Sequence, residues 1–174
     1  MMLFGQGRAA AWIFSLVLFF DQLTKWLTHN YLPVMDKSPY VYPYGGIGIF
    51  ENVMGIEFSI SHLTNLGAAW GAFADFQVYL LILRILLITS LGYYAIFVNR
   101  QPRWVLPMAL ILAGAIGNVI DFFTYGHVVD MIHFILWGYD YPVFNVADSA
   151  VFLGVGWIAI TMARPQSQNS FQHH

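Results

Sequence analysis

The stretch FNVADSAVFLGVGWIAITM, residues 144–162, is long and apolar enough to cross a membrane as a helix, yet it begins with polar residues. A hydrocarbon core of about 30 Å requires about 20 helical residues. Asn145 is a good N-cap residue, and Asp148 then falls at the third helical position, where a carboxylate suits the positive helix end. A carboxylate this close to the membrane also suggests a polar partner or cavity.

The whole chain has the composition of a membrane protein. Of its 174 residues, 59% are hydrophobic and 9% are charged, and the mean hydropathy is +0.63. An average soluble domain has about 25% charged residues. Four apolar stretches predict transmembrane helices at residues 9–27, 78–98, 104–123 and 144–162. Within the first stretch, the apolar run that begins after Arg8 is followed by Asp21, Gln22 and Lys25 and not by a small-residue cleavage site, so we predict a mature helix.

The distribution of arginine predicts the orientation of these helices. The arginines near helix ends are Arg8, Arg100, Arg103 and Arg164. Cytoplasmic connections carry an excess of Lys and Arg, so both termini are predicted to be cytoplasmic. Residues 28–77 and 124–143 then lie on the outer side, and the second of these regions contains no Lys or Arg.

The first outer region predicts a small β-sheet. Ile56, Phe58 and Ile60 alternate with polar residues, which is typical of a half-buried strand, and residues 47–50 offer a hairpin partner. The predicted fold class is therefore an all-α membrane protein with four transmembrane helices and a small extracytoplasmic β-sheet between helices 1 and 2. We expect one integral-membrane domain over residues 1–163, with the β region at about 31–72. Residues 164–174 form a polar tail, predicted to be cytoplasmic and disordered.

Several kinds of catalytic site are excluded or disfavoured. The chain has no cysteine, so thiolate nucleophiles and cysteine metal sites are excluded. HExxH, GxSxG and phosphate-binding glycine motifs are absent as well. His127 and His133 are six residues apart, which is poor spacing for two metal ligands on one helical turn. We therefore predict no metal and no organic cofactor, and the net charge of −2 does not suggest nucleic acid as a partner.

Four aspartates remain as candidates for chemistry. Asp21 lies four residues before Lys25, which indicates an ion pair along one helix, and Asp121 lies one turn from Asn118, which is typical of a structural hydrogen-bonding residue. Asp130 separates two apolar runs on the outer side, and Asp148 begins helix 4 on the same side. Two converging carboxylates share a proton, so one acts as base and the other as acid, as in an aspartic protease.

Two other classes of function stay open on these residues. A proton-coupled transporter would use Asp21, Asp121, Asp130 and Asp148 as a relay through the depth of the membrane. A structural membrane subunit would use the same carboxylates for assembly. The sequence places most of them towards one side, which favours the peptidase over the relay.

Five ordered motifs make the chain resemble a known family. They are DQLTK at 21–25, TNLGAAWG at 64–71, GAIGNVID at 114–121, GHVVDMI at 126–132 and FNVADS at 144–149. Together they resemble the bacterial lipoprotein signal peptidases, also called signal peptidase II. The resemblance implies an aspartyl endopeptidase of the inner membrane with its active site near the periplasmic face. It would cleave diacylglyceryl-modified prolipoproteins before the lipidated cysteine.

The resemblance also implies roles for individual residues. The catalytic pair falls on Asp130 and Asp148. The substrate-binding or site-supporting positions are Asp21, Lys25, Asn65, Gly67, Asn118, Asp121 and Asn145. We expect a monomer whose partners are the prolipoprotein substrate and membrane lipid. The chain departs from the family at Phe122, where an arginine is common, and in a longer region between the first two motifs. Arg84 and His127 are candidate substitutes for that arginine.

Overall fold

The structure, a computed structural model, describes residues 2–35, 39–66 and 76–163, with side chains from residue 6 onward. Its helices are α1 (Met2–Tyr31), α2 (Gln77–Tyr93, continuing as a π-helix over Tyr94–Val98), α3 (Pro102–Tyr125) and α4 (Val146–Ala163). All four are long and apolar enough to cross a membrane. The four predicted helices are confirmed, and α1 is longer than its apolar stretch at both ends.

A four-stranded antiparallel sheet lies beside the helices. Its strands, in spatial order, are β1 (Ile47–Val53), β2 (Ile56–Asn65), β3 (Val128–Leu136) and β4 (Tyr139–Asp140). The predicted hairpin is present, with Ile47 opposite Ile60 and Phe50 opposite Phe58. The prediction that the sheet lies between helices 1 and 2 is therefore correct for β1 and β2 only. The other two strands come from the connection between α3 and α4, for which sequence analysis predicts no strand.

Strand β3 escapes prediction because its sequence, VVDMIHFIL, does not alternate between apolar and polar residues. Its first four residues are all buried, so both faces of the strand are covered. A strand buried on both faces reads as a continuous apolar run, without the period-2 signal. Pairing with β2 places Leu63 opposite Asp130 and Asn65 opposite Val128. The pairing therefore brings Asn65 to the same end of the sheet as Asp130.

Helix α3 packs against the other three helices. Glycines permit the closest approaches: a Cβ atom on Gly114 would lie 2.3 Å from the Ala147 carbonyl oxygen, and one on Gly154 would lie 2.7 Å from the Pro107 carbonyl oxygen. Gly114 and Gly154 are therefore close-packing positions between α3 and α4. Gly156 is not, because an added Cβ there would meet none of the described residues within 4 Å.

Candidate active site

The start of α4 is fixed by a reciprocal pair of hydrogen bonds. The Asp148 backbone N–H donates to Asn145 Oδ1 at 2.8 Å, and the Asn145 backbone N–H donates to Asp148 Oδ2 at 3.3 Å. This is a capping box, in which two N–H groups without helical partners are satisfied by side chains. The predicted cap at Asn145 is confirmed. It also fixes the direction of the Asp148 carboxylate.

The side-chain amide of Asn145 connects this helix end to β3. It donates to Asp130 Oδ1 at 2.7 Å, and Asn65 from β2 donates to Asp130 Oδ2 at 3.0 Å. Asn118 from α3 donates to Asp148 Oδ1 at 2.8 Å. The structure thus brings Asp130 and Asp148 together as hydrogen-bond partners of one buried asparagine. An ionised carboxylate can accept about four hydrogen bonds, so both keep acceptor sites for water or substrate.

Asp130 is almost completely buried, with a relative exposure of 1%. Burial, followed by the charge of Asp148, raises the pKa of Asp130 to about 7, against the opposing hydrogen bonds from Asn65 and Asn145. A carboxyl group with this pKa still holds its proton during part of the time at neutral pH. The pair can therefore carry one proton under physiological conditions.

Lys25 lies at the centre of a second buried network. Its Nζ atom is 2.9 Å from Asp21 Oδ2 and 2.7 Å from Asp121 Oδ2, and it donates to Asn118 Oδ1 at 2.8 Å. Each of its three N–H groups has an acceptor, and the Asp21, Lys25 and Asp121 side chains have no exposure to solvent. The predicted pair between Asp21 and Lys25 is confirmed, and the lysine joins α1 to α3 as well.

This network also holds the backbone beside each candidate catalytic residue. Asp21 Oδ1 accepts the backbone N–H of Ala147 at 2.8 Å, and Asp121 Oδ2 accepts that of Val129 at 3.2 Å. Ala147 directly precedes Asp148, and Val129 directly precedes Asp130. The two carboxylates that Lys25 neutralises therefore position both chain segments of the site.

Gln22 belongs to this network, although sequence analysis assigns it no role. Its Nε2 atom lies within hydrogen-bond distance of Asp21 Oδ2 at 3.1 Å, Asp121 Oδ1 at 3.0 Å and the Gly117 carbonyl oxygen at 3.2 Å. The sequence signal that could have identified Gln22 is its position between two supporting residues, Asp21 and Lys25, in DQLTK. Gly67, the remaining supporting position, lies outside the described residues.

A cavity of about 1020 Å³ extends from the two aspartates between α2, α3 and α4. Asp130 and Asp148 line it together with apolar residues such as Leu91, Ile111 and Val155. The seven residue steps from Asp148 to Val155 correspond to about 10 Å along the helix. The cavity is therefore an apolar groove that begins at two carboxylates and continues along the predicted transmembrane segments.

Four other polar residues of interest, Arg84, Tyr141, His127 and His133, lie in different parts of the structure. Arg84 from α2 lines the groove, as does Tyr141. The His127 ring packs near that of His29, which in turn packs near His62, and these three residues do not belong to the groove lining. His133 lies apart from them, with its Nε2 atom 2.9 Å from Asp140 Oδ1.

Comparison with known proteins identifies the family of this chain. A family model described as "Signal peptidase (SPase) II" matches residues 13–164. The chain belongs to the signal peptidase II family. The resemblance drawn from the five motifs is thereby confirmed, as are the assignments to hydrolases, lipoprotein processing and transmembrane proteins.

Individual members of the signal peptidase II family and solved structures show the extent of the likeness. Lipoprotein signal peptidases of Staphylococcus aureus strains JH9 and Newman are 34% identical over 152 residues, which cover 87% of this chain and 85% of theirs. A bacterial membrane enzyme solved by the in meso method at 2.3 Å resolution superposes with a TM-score of 0.75 at 29% identity, covering 95% of this chain and 94% of that one. A second such enzyme, at 1.9 Å, gives 0.71 at 30% identity, covering 91% and 94%.

Proposed function

We propose that this chain is an aspartyl endopeptidase that removes the signal peptide from diacylglyceryl-modified prolipoproteins by cleaving before the lipidated cysteine. The observation that carries the proposal is the placement of Asp130 and Asp148 around Asn145 at the end of one apolar groove. The substrate class follows from the relatives, which are named lipoprotein signal peptidases.

The two aspartates differ in surroundings, which assigns their roles in the proposed mechanism. Asp148 lies in the first turn of α4, at the positive helix end, and its carboxylate accepts two N–H hydrogen bonds. Asp130 has a pKa raised to about 7 by burial and by Asp148. Asp148 is therefore the general base, and Asp130 is the acid that holds the shared proton.

The reaction then proceeds in two proton-balanced steps. Asp148 removes a proton from water while the water oxygen bonds to the scissile carbonyl carbon, and Asp130 gives its proton to the carbonyl oxygen. When the C–N bond breaks, protonated Asp148 gives its proton to the leaving nitrogen, and Asp130 recovers a proton from the tetrahedral intermediate. The pair thus ends with one proton, as it began.

The groove supports the choice of a lipidated, membrane-embedded substrate. Its apolar lining along α2, α3 and α4 suits a signal helix that lies within the bilayer. Arg84, which lines the groove, is our candidate for holding the substrate backbone where this chain has Phe122 in place of the family's common arginine. The alternative substitute, His127, lies with His29 and His62 instead.

The position of the site also supports a location and an organisation. Asp121 lies near the end of α3, and Asp148 lies at the start of α4, so the site is at one end of the helices. We propose that this end faces the periplasm in the inner membrane, with both termini in the cytoplasm. We also propose a monomer with one membrane domain over residues 1–163, a β region within about 31–72 and a cytoplasmic tail over 164–174.

Clustering of the four aspartates does not support the transporter alternative. A relay requires carboxylates spread through the membrane's depth. Asp21 and Asp121 instead share Lys25, while Asp130 and Asp148 share Asn145. The two groups are joined through Asn118, which accepts from Lys25 and donates to Asp148.

The test is cleavage of a diacylglyceryl-modified prolipoprotein by purified protein in detergent. We expect Asp130→Asn and Asp148→Asn each to lower the turnover by about 100-fold to 10,000-fold, the usual contribution of a general acid or base. Asp140→Asn is the matched control, because its carboxylate is on the same side of the molecule but 67% exposed. It should cleave as the wild type does.

The pH profile of wild-type cleavage separates catalysis from a structural role. Asp130 has a raised pKa, so it is protonated below about pH 7 and loses its proton above it. Turnover should therefore fall as the pH rises through this range, while thermal unfolding shows that the protein stays folded. Folded Asp130→Asn and Asp148→Asn variants that cleave at the wild-type rate would overturn the proposal.

A further inference from the structure

Three histidines from distant parts of the chain meet outside the groove. His29 lies in the last turn of α1, His62 lies in β2, and His127 lies between α3 and β3. One ring nitrogen from each residue lies within 4.8 Å of the other two. The three rings also pack together, with centroids 5.6 Å apart for His29 and His62 and 6.0 Å apart for His29 and His127.

The hydrogen bonding of His62 determines which of its nitrogens is free to bind a ligand. Its Nδ1 atom lies 3.0 Å from the Leu32 carbonyl oxygen, which can only accept, so Nδ1 carries the proton. The Nε2 atom of the neutral ring then has a free lone pair. That atom is buried, in a side chain only 2% exposed, and has no hydrogen-bond partner in the described part of the chain.

His127 repeats this arrangement. Its Nε2 atom is also buried without a hydrogen-bond partner among the described residues. Buried polar atoms of folded proteins are nearly always paired, so two unpaired imidazole nitrogens on neighbouring histidines of one cluster require an explanation. A backbone carbonyl that fixes the tautomer of an imidazole is the usual support behind a metal-binding histidine.

We propose that His29, His62 and His127 form a zinc-binding site. Imidazole nitrogen is a preferred ligand of Zn²⁺, and three histidines leave a fourth position for water or another ligand. A Zn–N distance of about 2.0–2.1 Å in a tetrahedral site corresponds to about 3.4 Å between ligand nitrogens. The present separations, up to 4.8 Å, need only a small rotation of the rings to reach that value.

This site would be separate from the candidate catalytic pair and would serve the fold. None of its three histidines lines the groove. A bound ion would join the end of α1 to β2 and to the turn before β3. These two strands carry Asn65 and Asp130, so zinc would stabilise the part of the sheet that holds one side of the active site.

The test is titration of the purified full chain in detergent with zinc chloride, followed by calorimetry, with Co²⁺ absorption as a probe of tetrahedral geometry. We expect a single site of micromolar or tighter affinity. His29→Gln and His62→Gln should each weaken it by at least about tenfold. His29 is solvent-accessible at a helix end, so this variant keeps the test decisive if His62→Gln does not fold.

Two controls identify the source of any binding. The double variant His173→Ala/His174→Ala removes two imidazoles outside the cluster and should bind as the wild type does. Asp130→Asn should also bind normally, because the inference does not depend on peptidase activity. Zinc should raise the unfolding temperature of the wild type and of both controls, but not of His29→Gln.

The proposal would be overturned if the wild type showed no saturable zinc binding or if the folded His29→Gln and His62→Gln variants bound zinc with wild-type affinity. It would also be overturned if only the His173→Ala/His174→Ala variant lost zinc binding. In each case the histidines would be an aromatic cluster with Tyr125, whose ring centroid lies 4.4 Å from that of His29.

Discussion

Lys25 holds a positive charge in a place where solvent cannot reach it. It lies between Asp21 and Asp121, and all three side chains have no exposure. Moving an ion out of water costs several kcal/mol, which attraction and hydrogen bonds offset only when every group is paired. The three acceptors around Lys25 satisfy this condition. Removal of any one member of the network should therefore strongly destabilise the protein.

Replacement of Lys25 should accordingly be severe. We expect Lys25→Met to lower the free energy of unfolding by about 3–5 kcal/mol, since two buried carboxylates lose their counter-charge. Thermal unfolding of purified protein in detergent measures the loss. Arg100→Met is the matched control, because Arg100 is exposed in the connection between α2 and α3 and should have little effect.

A double variant tests whether charge is the cause. Lys25→Met/Asp121→Asn restores the net charge of the wild-type network and should recover part of the lost stability. Equal instability of the single and double variants would contradict the electrostatic explanation and would assign the loss to packing.

At this scale, sequence analysis succeeds where the interaction is local. The spacing of Asp21 and Lys25 and the cap at Asn145 both follow from helix geometry within one turn. The hydrogen bonds through Asn118 that join the two aspartate pairs depend on contacts between helices, and residue spacing along the chain does not reveal such contacts. The histidine cluster was missed for the same reason, because its members belong to three separate segments.

At the scale of elements, the helices were predictable and half of the sheet was not. Length and hydropathy identify α1 to α4 because the bilayer requires about 20 apolar residues for each. Alternation identifies β2, whereas β3 is buried on both faces and gives no such signal. The position of Asp130 on a strand, with Asn65 beside it, therefore became evident only from the pairing of β2 with β3.

Two glycines of α4 offer a matched test of helix packing. An added Cβ on Gly154 would lie 2.6 Å from Ile111 Cγ1 and 2.7 Å from the Pro107 carbonyl oxygen, whereas one on Gly156 would meet nothing. We expect Gly154→Ala to destabilise the protein by about 1–3 kcal/mol through overpacking. Gly156→Ala should be neutral or stabilising by up to about 1 kcal/mol, since alanine favours the helix.

Thermal unfolding of the two variants in the same detergent gives the comparison. Both substitutions gain the same helix propensity, so their difference reports the contact with α3 alone. Equal unfolding temperatures would mean that α4 does not approach α3 as closely as the structure places it.

For the whole molecule, the important asymmetry is between its two ends. The buried polar groups collect where α3 ends and α4 begins, while the opposite end carries the short connection with Arg100 and Arg103. Helix α2 has no buried residue and borders the groove, so its apolar surface is left exposed. Under the proposed function, a signal helix would reach the carboxylates along this surface from within the bilayer.

The proposed access requires the polar end of the molecule to face the side of the membrane from which lipoproteins are released. A labelling experiment can test this orientation. The chain contains no cysteine, so a single introduced cysteine can be labelled without background. Glu51→Cys lies on exposed β1, and Gln101→Cys lies in the exposed connection before α3. We expect a membrane-impermeant maleimide added to intact spheroplasts to label the first variant and not the second.

Permeabilised spheroplasts supply the control, because both variants should then be labelled to a similar extent. The reverse pattern in intact spheroplasts would place Asp130 and Asp148 on the cytoplasmic side, contradicting the orientation predicted from arginine. Labelling of both variants in intact spheroplasts would indicate mixed orientations. The proposed peptidase requires the first pattern, because the polar end of the molecule and the sheet beside it must share the periplasmic side with the exported part of the substrate.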